Sequence, residues 1–105
     1  MANTFRNYFT KNVIANTVVY TTGAGTQTTV IGMTIANLNT APALANIVIN
    51  SGGTDYYMLK EATVPVGGAL VPIGGEQKLV LEAADSLAVS ASQNCDVILS
   101  VLEIT

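Results

Sequence analysis

Histidine and tryptophan are absent from the 105 residues, and cysteine occurs once, at Cys95. Without histidine the commonest general base and metal ligand is missing. One thiol forms no internal disulfide and no zinc site of the cysteine–histidine kind. Charge is equally scarce, at 10% of residues with a net of −3, where about a quarter is usual. The four basic residues, Arg6, Lys11, Lys60 and Lys78, are scattered, so the clustered positive footprint of a nucleic-acid binder is missing. Apolar runs are short and broken by Asn, Thr or Gly, far from the roughly 20 residues of a membrane helix. The opening MANTFRNYFTKN has no apolar signal core, so no secretory export is expected.

What fills the chain instead is Val, Ile, Thr, Asn, Gly and Ala. Half of the residues are hydrophobic in the wide sense, which excludes disorder by composition. No charge falls between Asn12 and Thr54. So neutral a surface suits a subunit whose faces are covered by partners. Cys95 borders the strongest apolar run and reads as a buried, inert thiol, in keeping with synthesis in a reducing cytoplasm.

Period-two alternation and frequent turn residues indicate strands, with no sustained helical spacing. An extended N-terminal arm is read over 1–11 and a sandwich domain over 12–105. Strands are expected over Val13–Thr21, Thr28–Asn37 (Ile31, Met33 and Ile35 on one face), about 45–50, and Tyr56–Glu61. Gly23–Thr28 reads as a hairpin turn, since it has no phosphate-binding Lys. A hairpin loop is expected at Asn50–Asp55. The Pro/Gly-rich stretch Val64–Gly75 fits an edge strand or corner. Gln77–Ala83 alternates, with Leu79 and Leu81 inward and Lys78 and Glu82 outward; Leu87 and Val89 also point inward. Seven or eight such strands make an all-β fold: a two-sheet antiparallel sandwich, jelly-roll-like.

The last strand, Asp96–Ile104, is apolar on both faces. Val97, Leu99 and Val101 form one face, and Ile98, Leu102 and Ile104 the other, which is expected to be buried at a subunit contact. The arm concentrates Phe5, Tyr8 and Phe9 beside Arg6. These four residues are expected to lie on a neighbouring subunit, and deleting 1–11 is expected to leave a folded sandwich that no longer binds. The alternatives are packing on the arm's own sandwich or one short helix. The seven carboxylates sit mostly at strand ends or turns and read as solvated. No catalytic residue, cofactor or metal site is expected, and the chain does not read as an enzyme.

The segments MANTFRNYFTKNV, VVYTTGAGTQTTVIGMTIANLNT, GGTDYYMLKEATVPVGGAL, GGEQKLVLEAADSLAV and DVILSVLEIT together resemble a family of small tailed-bacteriophage virion structural proteins. The resemblance spans nearly the whole chain. It implies a structural part of a phage particle, located in the virion, and leaves head and tail both open. A neutral sandwich with an aromatic arm suits a capsid cement (decoration) protein stabilising the head lattice. The partners would be copies of itself, as a trimer or other homo-oligomer, and the major capsid protein or tail proteins; no nucleic acid and no membrane are implied. A tail, neck or baseplate component is the alternative. A third class is a glycan- or host-binding module working through loops such as Ser51–Asp55.

Overall fold

A computed structural model describes residues 3–73 and 79–105, together with all side chains of these except Pro72 and Ile73. All regular structure in it is strand: β1 (Asn3–Val13), β2 (Thr17–Thr21), β3 (Gln27–Asn37), β4 (Ala43–Ser51), β5 (Thr54–Val64), β6 (Ala69–Ile73), β7 (Leu79–Leu81), β8 (Ser86–Ala91) and β9 (Cys95–Ile104). The chain doubles back on itself as one long folded hairpin. β1 pairs with β9, β2 with β8, β3 with β6 and β7, and β4 with β5, all antiparallel. The cross-pairings β9·β3 and β8·β4 then knit these pairs into two sheets. Sheet A has the order β1-β9-β3-β6, with β7 also on β3; sheet B has the order β2-β8-β4-β5. That order is a jelly roll.

Alternation decides which side chains meet between the sheets. Met33, Ile35, Leu81, Val97, Leu99 and Val101 from sheet A face Ala45, Ile47, Leu87 and Val89 from sheet B, all at most 1% exposed. Cys95 lies in the same core, fully buried. Of the expected inward residues, Ile31 is displaced. The β3·β9 register slips between Val30 and Gly32, so Ile31 is the extra residue of a bulge and Val30 takes the core position.

The connections follow local chemistry. Gly52 and Gly53, with φ of 62° and 83°, form the two-residue link between Ser51 and Thr54; two successive positive φ values define the turn whose twist suits a hairpin. Asn37, 6% exposed, pins the corner after β3. Its amide nitrogen donates to the carbonyls of Ala41 and Val64 at 2.9 and 3.2 Å, while its side-chain oxygen accepts from the Asn39 N–H at 2.9 Å.

Three further expectations change. Residues 3–10 do not form a separate arm: they pair with β9 from Asn3↔Ile104 to Thr10↔Val97 and make the edge of sheet A. Packing on its own sandwich is thus the arrangement adopted. The segment expected as one strand over Val13–Thr21 is broken at 14–16, where the chain passes from sheet A to sheet B and the Ile14 carbonyl accepts from the Ala91 N–H at 2.9 Å. The Gly23–Thr26 turn, closed by a 3.2 Å bond, joins strands of different sheets and is not a hairpin. The Pro/Gly-rich stretch does carry an edge strand, β6. Gln77 and Lys78 lie outside the described residues.

Candidate interaction surface

Directly paired residues on neighbouring strands share a face of the sheet. On β9 the residues that alternate with the buried Val97, Leu99 and Val101 therefore point outward, and the pairing carries the same parity onto β1. Phe9 lies opposite Ile98, Asn7 opposite Ser100, Phe5 opposite Leu102 and Asn3 opposite Ile104. From the other side, Thr34, Gly32 and Thr29 of β3 stand opposite Ile98, Ser100 and Leu102. Val80 pairs with Thr29 and extends the row.

The resulting outer face of sheet A is apolar and open. Phe5 is 75% exposed, Phe9 70%, Val71 and Val80 61% each, and Ile98 42%. Leu102 and Ile104 are half-buried. Among the described residues the face carries charge only at one end, where Lys11 Nζ stands 4.0 Å from Asp96 Oδ2. Beside that pair, Phe9 and Ile98 line a shallow apolar groove. Side chains this large are not needed outside for folding, and grouped on one face they mark a contact surface.

The four arm residues expected at an interface divide by parity. Phe5 and Phe9 point out. Arg6 and Tyr8 turn back to their own sandwich and meet Glu103 of β9. Arg6 Nε lies 2.9 Å from one Glu103 carboxylate oxygen, while the Tyr8 and Tyr20 hydroxyls donate to the other at 2.9 and 2.6 Å. The Tyr20 hydroxyl also shares a 2.7 Å bond with Thr28 Oγ1. The two tyrosine rings meet edge-on, with centroids 5.0 Å apart. One carboxylate thereby ties together β1, β2, β3 and β9.

Electrostatics follow this geometry. The hydrogen bond from Tyr20 leads in holding the Glu103 carboxyl below its ordinary value of 4.5, against the effect of burial. Burial, then the bond to Glu103, pushes the Tyr20 hydroxyl up to about 12. The expectation that most carboxylates are solvated does not anticipate this network at Glu103. The signal available was parity, since Glu103 continues the inward series Val97, Leu99, Val101.

The outer face of sheet B differs in kind. Its groove mixes polar Asn16, Asn50, Asp55, Ser86 and Ser90 with Val18, Val48, Ala88 and Tyr57. Asn50 Nδ2 donates to Asp55 Oδ1 at 2.7 Å, and Lys60 Nζ stands 5.3 Å from the Tyr57 ring centre.

No family model matches the chain, and no curated protein does. Among solved structures it is similar to a protein of Bacillus endospore appendages, described as a novel family of disulfide-linked pili. The TM-score is 0.53 at 14% identity, over 99% of this chain and 87% of that one. At this identity the likeness defines the class of fold alone. The disulfide linkage has no counterpart on this surface. Cys95 is the sequence's single cysteine, is fully buried, and has its thiol pKa raised by burial and by Asp96.

Proposed function

We propose that the protein is a non-enzymatic structural subunit of a tailed-phage particle, a cement protein that docks on the head lattice through the outer face of sheet A. The observation that carries the proposal is that face: a two-strand row of Phe5, Phe9, Ile98, Leu102 and Ile104, uncharged except at one end. The resemblance to small phage virion proteins over nearly the whole sequence supports the setting. Covering apolar surface yields about 25 cal/mol per Å2, so two exposed phenylalanines and their neighbours supply several kcal/mol per copy. Repeated over a lattice, such contacts hold capsid subunits together against internal pressure.

A tail, neck or baseplate role is the second reading. Its support is that a pilus protein shares the fold, a setting in which contacts between copies take the place of contacts with a capsid lattice. Copies per virion, measured by quantitative mass spectrometry against the major capsid protein, separate the two. Hundreds of copies in fixed ratio to the capsid protein are expected. A few to a few dozen would overturn the cement role and favour the tail.

A further inference from the structure

A jelly roll leaves sheet edges open, and an open edge offers unpaired N–H and C=O groups to any strand that fits. Three of the edges among the described residues are blunted. β2 is five residues long and its pairing slips between Val18 and Tyr20. β5 carries Asp55, Lys60 and Glu61, and at Glu61 the backbone turns to a φ of 54°. On the far side of sheet A, β6 is five residues long and includes Pro72, which has no N–H to offer, and β7 is three residues long. β1 carries two charges, but Arg6 is drawn back to Glu103 and Lys11 stands beside Asp96 near the strand's far end, so most of its length is left open. It is eleven residues long, pairs with β9 without interruption from Asn3 to Thr10, and breaks register only beyond that, around Asn12 with its φ of 56°.

We infer that β1 pairs edge to edge with β1 of a second copy, antiparallel about a two-fold axis through Asn7. Parity restricts the register. The outward residues of one copy must meet the outward residues of the other, so the axis passes through a residue and not between two. An axis at Arg6 sets two guanidinium groups directly opposite each other and shortens the overlap to 3–9. An axis at Tyr8 sets Phe5 against Lys11 and limits the overlap to 5–11. The axis at Asn7 uses all of 3–11, up to the irregularity at Asn12. It places Phe5 of each copy opposite Phe9 of the other and Arg6 opposite Tyr8, with no like charges facing. Directly opposed aromatic pairs stabilise antiparallel strands. The four phenylalanines form one cluster, and the two outer faces of sheet A become a single apolar surface.

The pairing rests on the assembly role proposed above for its use. It is read on the isolated protein, so its failure leaves particle docking standing, and a failure of docking leaves the pairing standing. The test uses Asn7→Cys, which places two outward thiols opposite each other, and Thr4→Cys, whose partner in this register is Thr10. Under copper–phenanthroline oxidation Asn7→Cys is expected to give a covalent dimer and Thr4→Cys to remain a single chain. Wild type should sediment as a dimer. Asn7→Lys, which sets like charges across the axis, should sediment as a folded monomer whose melting temperature, unlike that of the wild type, does not rise with protein concentration. A monomeric wild type, or equal cross-linking of both cysteine variants, overturns the inference.

Discussion

At the scale of single residues, Glu103 is the unusual investment in this fold. A carboxylate on the inward face of a strand is normally a liability, because burial penalises its charge. Here Arg6, Tyr8 and Tyr20 satisfy it with short contacts. Because its folded pKa lies below 4.5, its contribution is present above the ordinary carboxylate value and is lost as pH falls through the folded value. Tyr20 behaves in the opposite sense. Raised from 10.0 to about 12, it stabilises fully below pH 10 and loses that contribution as pH climbs to about 12. Glu103→Gln keeps the shape and removes the charge, and is expected to cost about 1–3 kcal/mol at neutral pH. In thermal melts the gap to wild type should close in acid, below the folded pKa. A gap unchanged down to about pH 3 would show that the charge contributes nothing.

At the scale of elements, legibility follows how many faces of a strand announce themselves. β9 is readable because both of its faces are apolar, and β8 because Leu87 and Val89 alternate with the small residues Ser86, Ala88 and Ser90. β1 is not, and its sequence reads as an arm. Its outward face holds Asn3, Phe5, Asn7 and Phe9, while its inward face reaches the body through Arg6 and Tyr8 and not through an aliphatic row. A strand attached by polar groups leaves little hydrophobic alternation. The bulge at Ile31 was hidden for a different reason: one extra residue shifts parity, and only the partner strand reveals the shift. The break at 14–16 is a change of sheet marked in the sequence only by Asn16 and Thr17 between Val13–Ala15 and Val18–Tyr20, a signal no stronger than the Asn and Thr found inside other strands.

Placing β1 in the sheet reverses the expectation for its removal. Deleting residues 1–11 strips the edge from β9, uncovers Val97, Leu99 and Val101 on that side, and takes Arg6 and Tyr8 from Glu103. The truncated chain is expected to lose cooperative unfolding in urea and to aggregate. A soluble, cooperatively unfolding truncation would return residues 1–11 to the status of an arm.

At the scale of the whole molecule, the two outer faces divide the surface by chemistry. Sheet B mixes amides, hydroxyls and Asp55 with Val18 and Tyr57; sheet A shows Phe5, Phe9, Val71, Val80 and Ile98 with charge only at one end. The core between them explains why the chain folds, and leaves the apolar side of sheet A unexplained unless something covers it. The direct measurement is co-sedimentation of Phe9→Asp and Ile98→Asp proteins with particles lacking the wild-type chain. Both residues are exposed, so both variants should melt within a few degrees of wild type, since surface changes typically stay within about 0.5 kcal/mol. Both should fail to sediment with the particle. Variants that bind like wild type would contradict the account, because the outer face of sheet A would then not be the docking surface.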